Sequence, residues 1–324
     1  MTLQQLEYVV ALAEEQHFSK AATRCNVTQP TLSTMVQRLE EELQVELFDR
    51  TKHPIKTTAL GEQLVKQARR ILSEASKISG IVDDTVNSLS GVVNVGVLPT
   101  IAPYLMPLVL PRWLEQFKSM KINVKELKTK ECYAALSRWD IDLAIIASEP
   151  ESDDFDGSLL YYEEFLGYVS ANDKTDMPDK LFSSDIIADK LWLLAEGHCF
   201  RDQLLRFCQL SQRSKFPISY KEGSIAGFMH LVESGHGLTF IPALAELYLS
   251  SEQKALVKRF AIPRPARAIW LVYRKDYMRE RILQAMTQTL RAAVPEEMLT
   301  LAREQSLAKS VSYTHLTLPT TERV

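Results

Sequence analysis

FSKAATRCNVTQPTLSTMVQRLEEELQVELFDR, residues Phe18 to Arg50, holds two helical patterns separated by a tight turn. The first, Ser19 to Cys25, offers Ala21 and Ala22 for close packing. Asn26, Val27 and Thr28 make the turn. Thr28 can cap the next helix, and Pro30 falls in its first turn, where a missing N–H costs nothing. The second pattern runs from Gln29 to about Leu43. Leu32, Val36, Leu39 and Leu43 share one face, with Met35 beside them. Pro30, Ser33, Thr34, Gln37 and Arg38 share the other. A helix that enters the DNA major groove needs such a face: short side chains near its N-terminus for close approach, and amides and hydroxyls to read base edges. A solvated polar face would look the same on this helix alone. Upstream, Leu3, Leu6, Val10 and Ala13 predict an amphipathic helix over residues 2–16.

The neighbouring residues favour DNA. Leu47 to Thr58 is short, β-rich and turn-containing. Between residues 50 and 70, six cations (Arg50, Lys52, Lys56, Lys66, Arg69, Arg70) stand against one anion, Glu62. A β-hairpin wing beside a recognition helix contacts phosphates, where cations add affinity without sequence information. Glu40, Glu41, Glu42 and Glu46 are expected at the far end of the helix, away from DNA. Pro30, Thr31, Ser33, Thr34 and Gln37 are the expected base contacts. Gln29, Arg50 and Lys52 are expected on phosphates or in the minor groove.

From Thr58 to Leu89, Leu60, Leu64, Ala68, Ile71, Ala75, Ile78, Val82 and Leu89 form a seam of three- and four-residue steps. The helix it predicts is about 45 Å long. A three-helix domain of this size is not expected to bury such a seam, so pairing with a second copy is the economical solution, and it suits a two-fold DNA operator. The alternative is packing against the C-terminal half.

The whole-chain composition is quieter. The 324 residues suggest two or three domains. A net charge of −3, from 38 Lys+Arg and 41 Asp+Glu, excludes a uniformly basic coat and a disordered acidic chain. The chain is 46% hydrophobic and 24% charged, as in an ordinary globular protein. Four cysteines exclude a disulfide scaffold. No signal segment or apolar run of about 18 residues is present, so a cytoplasmic, reducing setting without a membrane partner is expected.

After Ser90-Gly91 the pattern becomes α/β. Strands are predicted at 92–98, 122–127, 142–148, 165–169, 191–194, 218–220, 238–241 and 269–273. Helices are predicted at about 102–117, 131–138, from 200, 225–234 and 279–293. Two such sets imply two doubly wound α/β subdomains joined by crossing strands, with a ligand crevice beyond the C-terminal strand ends, where Thr100, Thr129 and the Glu196–Cys199 segment lie. The expected domains are 1–58 (winged helix-turn-helix), 59–89 (linker and dimerisation helix) and 90–300 (regulatory). Within the last, subdomain I is 91–163 plus 268–300 and subdomain II is 164–267.

The Phe18–Arg50 segment, followed by TALG from Thr58, resembles the LysR-type transcriptional regulators, and the resemblance extends to about residue 295. GVLPTIAPYLMP from Gly96, GHCFRDQLLRFC from Gly197, FIPALA from Phe240 and LVYR from Leu271 are similar to the peroxide-sensing members of that family. The resemblance implies a winged helix-turn-helix, a dimerising linker, a periplasmic-binding-protein-like regulatory domain, a homotetramer, contact with RNA polymerase, and activation of oxidative-stress genes.

Cys199 and Cys208 are nine residues apart. On a continuous helix they face opposite ways, roughly 13 Å apart along the axis. A disulfide needs Cα atoms within about 7 Å, so bonding would require the helix to unravel. Cys199 sits at a predicted helix N-terminus, flanked by His198 and Arg201, which are expected to lower its pKa. Two readings stay open from the residues: inert core thiols, or a redox pair. The resemblance makes Cys199 the peroxide-reactive thiol and Cys208 its resolving partner. It makes Thr100, Thr129, His198 and Arg201 donors of a hydrogen peroxide pocket, with Asp202 an orienting neighbour. Cys25 and Cys132 are expected to be structural, and His230 and His236 ordinary surface or packing residues. No cofactor or metal is expected, since the cysteines are scattered. A regulator answering a small organic effector is the alternative, and a thiol peroxidase a remote one. Ser310–Val324 resembles a translated cloning adapter and is expected to be non-native and disordered.

Overall fold

The computed structural model describes residues 1–85, 89–173, 178–186, 190–195, 197–209, 223–235 and 237–308; the side chains of 73, 76–85 and 185 also fall outside it. The strand expected at 218–220, His236, the side chains of Ile78 and Val82, and the tail 310–324 therefore lie outside the described residues. The chain divides into two compact units, Met1–Ser88 with Ser137–Asp140, and Leu89–Leu136 with Ile141–Val324.

The first unit is built on helices. At the start of α1 (Leu3–Glu15) a capping box forms: the Thr2 hydroxyl accepts from the Gln5 N–H, and the Gln5 side chain accepts from the Thr2 N–H. Its buried stripe is Leu6, Val9 and Leu12 with Tyr8 and Ala11, while Leu3 is exposed and Val10 half-buried. The period is the expected one but the stripe is rotated. Two adjacent stripes satisfy the same spacing, and the packing of α2 (Phe18–Arg24) and α3 (Gln29–Leu43) decides which is buried. In α3 the Thr28 hydroxyl accepts from the Thr31 N–H at 3.4 Å, and Leu32, Val36 and Leu39 are buried. Leu43, expected on that face, is exposed where the helix ends.

The wing is a hairpin of β1 (Phe48–Asp49) and β2 (Lys56–Thr57), with Phe48 opposite Thr57. The linker helix, α4 (Ala59–Thr85), has 27 residues and is about 40 Å long. Gly61 permits its close start: a Cβ there would lie 2.1 Å from the Leu47 carbonyl oxygen. Leu64, Val65, Ala68, Ile71 and Leu72 join the first unit's own core. The expectation that this unit leaves the whole seam to a partner is thus corrected for its early turns, because α1 packs along them.

In the second unit, β3 (Ser90–Val97) leads through α5 (Ala102–Gln116) to β4 (Ser119–Glu126), then α6 (Thr129–Ser137) and β5 (Leu143–Ile146). β3 pairs in parallel with both β4 and β5. β6 (Phe155–Val169) is a 15-residue strand. Then come β7 (Lys180–Leu181), α7 (Cys199–Phe207), α8 (Ile225–Glu233), β8 (Leu238–Pro242), α9 (Ser251–Lys254), β9 (Val257–Phe260), β10 (Arg264–Arg274), α10 (Glu280–Ala293) and β11 (Gln305–Leu307). The first part of β6, up to Glu164, pairs antiparallel with β10; from Phe165 onward it pairs with β8, and at Gly167–Tyr168 with β9. One strand thus serves two α/β halves. Sequence periodicity found only the last five residues of β6, because charged and small residues interrupt its earlier part. It missed β7, β9 and β11, which are too short to show a period. The strand expected at 191–194 is reduced to a single bridge, Leu191 to Leu238.

Candidate functional site

In the first unit, Gln29, Pro30, Thr31, Thr34 and Gln37 are exposed along α3, and Ser33 is half-buried. The Gln29 side-chain oxygen accepts from the Ser19 hydroxyl at 2.6 Å, and Gln37 donates to Glu41 at 3.0 Å. The Thr51 hydroxyl, and then Lys52, which pairs with Asp49 at 3.1 Å, hold the Asp49 carboxyl below its ordinary value. Arg50 donates to Glu40 Oε2 at 2.6 Å and lies 5.5 Å over the Phe18 ring. This corrects the expected place of Glu40. Its carboxylate folds onto the wing, where Oε1 also accepts from the Leu47 and Phe48 N–H groups at 2.8 and 3.3 Å. It fixes the wing's angle to α3 and pre-orients Arg50.

The second unit brings four of the predicted residues together. Thr100, Thr129, His198 and Cys199 line one narrow cleft with Leu98, Pro99, Lys128 and Gly197. Each comes from a different local cause. Thr100 lies in the turn three residues after β3, Thr129 opens α6, and His198 is the N-cap of α7, whose first residue is Cys199. Gly197, at φ 89°, takes the left-handed backbone that turns the chain into α7. Thr129 Oγ1 is buried without a well-formed hydrogen bond, and the Cys199 thiol is the group it faces.

The thiol's electrostatics differ from the expected ones. Burial pushes Cys199 above its ordinary value; Arg267 is the largest opposing influence, helped by the Thr129 hydroxyl and the Phe200 N–H, and Asp202 works against them. His198 does not supply the cation, since burial and then Lys128 hold its imidazole below the ordinary value, toward the neutral form. Arg201 does not either: it turns to the Leu194 carbonyl, donating at 2.9 Å. Neither Arg201 nor Asp202 lines the cleft. Cys208 is buried at the C-cap of α7, its thiol pushed up to about 12 by burial, and Cys132, also buried, is pushed up to about 12. The two ends of α7 thus carry the two thiols, roughly 13 Å apart along the axis.

Sequence reasoning missed Arg267 and Glu163. Arg267 is 1% exposed and donates from Nη1 to Thr100 Oγ1 and from Nη2 to the Thr100 carbonyl, both at 3.0 Å. Its Nε and Nη2 donate to Glu163 Oε2 at 2.9 and 2.6 Å. The available signal was a charge inside each of two apolar strand runs, since a charge at a core position needs a partner.

A helix-turn-helix unit and an α/β unit with a crevice, carried in one chain, define a bacterial transcription regulator. Residues 3–62 match "Bacterial regulatory helix-turn-helix protein, lysR family" and residues 87–295 match "LysR substrate binding domain". The chain belongs to the LysR family. It is 31% identical over 303 residues to the "Hydrogen peroxide-inducible genes activator" of Pectobacterium carotovorum subsp. carotovorum, covering 94% of this chain and 100% of that one. A full-length OxyR variant from Pseudomonas aeruginosa is similar with a TM-score of 0.75 at 32% identity, over 90% of this chain and 98% of that one. OxyR from Porphyromonas gingivalis is 46% identical with a TM-score of 0.64, over 67% of this chain and 99% of that one. No helix among the described residues is long and apolar enough to cross a membrane.

Proposed function

We propose that this protein is a cytoplasmic, peroxide-responsive transcriptional activator that senses hydrogen peroxide through Cys199 and Cys208. One observation carries the reading: Cys199 opens α7 in a cleft with Thr100, Thr129 and His198, and Cys208 closes the same helix. The relatives named for peroxide response and for OxyR support it. The Cys199 thiolate attacks one peroxide oxygen; the O–O bond breaks, an S–OH forms, and the departing hydroxide takes up a proton to become water. The deprotonated Cys208 sulfur then attacks the sulfenic sulfur; the S–O bond breaks, the disulfide forms, and the departing hydroxide takes up a proton to become water. Thr100, Thr129 and His198 are the donors for peroxide. Arg201 and Asp202 act from outside the cleft, as supports of α7.

The disulfide cannot form across an intact α7, so oxidation is coupled to its rearrangement. Residues 1–58, 59–89 and 90–300 act as DNA-binding, dimerising and regulatory domains, with the regulatory subdomains divided at 163/164 and 267/268. The α3 residues Pro30, Thr31, Ser33, Thr34 and Gln37 read bases, while Gln29, Arg50 and Lys52 hold the backbone. The active assembly is a homotetramer of linker-helix dimers on a double-stranded operator, in contact with RNA polymerase.

Mass spectrometry of unreduced protein after stoichiometric peroxide tests the redox step. A Cys199–Cys208 disulfide is expected. A free Cys199 under those conditions sinks the mechanism and leaves a LysR regulator of a small organic effector. A peroxidase would instead turn over many peroxides per reduction cycle, whereas a sensor consumes about one.

A further inference from the structure

We propose that Glu163 is a positioning residue for the sensor: its carboxylate, clamped on Arg267, sets how much of the guanidinium's charge reaches Cys199. The proposal rests on the reading of Cys199 as the reactive thiol, but it is tested without peroxide, so the two can fail separately.

Both partners of the ion pair are 1% exposed. Arg267 is saturated on one side by Glu163 Oε2 and Thr100, and its guanidinium carbon lies 4.9 Å from the ring centre of Phe200 and 5.9 Å from that of Phe165. Phe200 directly follows Cys199, so this stack sets the guanidinium beside the first turn of α7. Glu163 is itself held: its Oε1 accepts from the Leu244 N–H at 3.3 Å.

An isolated buried cation projects its charge strongly through a low-dielectric interior, whereas a cation with an anion clamped to it projects mainly a dipole. Arg267 is the leading charge acting to lower the Cys199 thiol, and Glu163 is not among the groups acting on it directly. Asp202 within α7, Thr129 and Cys132 of α6, and Lys128 beside His198 complete the polar surroundings. Among the described residues, Tyr104 and Tyr161 are the other titratable groups that act on the pair, both held protonated chiefly by burial. Glu163 therefore acts on the thiol through Arg267, keeping it from being fully ionised in the resting protein.

The experiment follows Cys199 alkylation by iodoacetamide against pH in the full reduced chain, read at the Cys199 peptide by mass spectrometry. Glu163→Gln, which keeps the shape but removes the charge, is expected to lower the midpoint by about one pH unit, or about tenfold faster alkylation at a fixed pH below it. The same substitution in an Arg267→Gln background is expected to move nothing. A midpoint unchanged or raised by Glu163→Gln overturns the proposal, as does an equal change in the Arg267→Gln background. Should near-ultraviolet circular dichroism show Glu163→Gln unfolded by its unpaired buried cation, Glu163→Asp replaces it. Drawing the carboxylate back by one methylene is expected to move the midpoint less but in the same direction, and an unmoved midpoint overturns the idea.

Discussion

Cys199 has a thiol that burial holds up and Arg267 pulls down. Its reactive form is the thiolate, so the sign of its pH dependence follows. The rate of peroxide reaction rises with pH as the thiol ionises and levels off above its raised value. Arg267→Gln removes the lowering influence and moves the profile to higher pH, and reaction at neutral pH slows about tenfold for every pH unit that the profile moves. Stopped-flow measurement of Cys199 oxidation against pH checks both statements. On the DNA side, Arg50 is pre-oriented by Glu40 and Phe18. Arg50→Ala is expected to weaken binding to all sequences alike and to reduce the salt slope by about 0.9. A filter-binding series over salt concentration measures it, and an unchanged slope removes Arg50 from the phosphate contacts.

Among the elements, α3 and α7 show how much was legible. The bounds of α3 coincide with the expected Gln29–Leu43, because cap, N-terminal proline and apolar period all speak locally and agree. Thr28→Ala removes the cap and should cost about 1 kcal/mol in urea unfolding of the first unit. For α7 the start and the spacing of the two thiols were readable, but its end at Phe207 and the Phe200–Arg267 stack were not, the latter because its partner lies on β10. If the helix must open for the disulfide to form, this stack holds it closed. Phe200→Leu gives up a contact worth roughly 0.5–2 kcal/mol, so conversion of sulfenic acid to disulfide should accelerate from about twofold to about thirtyfold. Quenched-flow mass spectrometry separates that step from the first oxidation, and an unaltered rate would show that the stack does not restrain α7.

At the scale of the whole molecule, each unit has its own core: Leu12, Leu32, Val36 and Leu39 in one, Val95, Ile145, Leu160 and Leu271 in the other. A fragment of residues 89–308 is therefore expected to fold and to form the Cys199–Cys208 disulfide with peroxide, yet to bind no operator. Circular dichroism, mass spectrometry and gel shift check the three parts. A fragment that folds only with residues 1–88 present would show that the cores are not independent. The −3 net charge was uninformative at this scale because it averages a basic wing and early linker with acidic stretches such as Asp153–Asp156.

The sequence by itself determined what depends on neighbours along the chain. Helix periods, the Thr28 cap, Pro30 in the first turn of α3, and the nine-residue spacing that puts two thiols at opposite ends of one helix are all set by local geometry. Tertiary structure decided which groups meet across the chain. Glu40 turned from a distant acid into the brace of the wing, Arg201 turned away to Leu194, and Arg267, ion-paired with Glu163, became the leading charge that lowers Cys199. The physical reason is that a strand's period says which face is buried, while the residue met on that face depends on sheet register and on the crossing of β6 and β10. A buried charge is therefore readable in sequence only as an anomaly, and its partner is fixed by the fold.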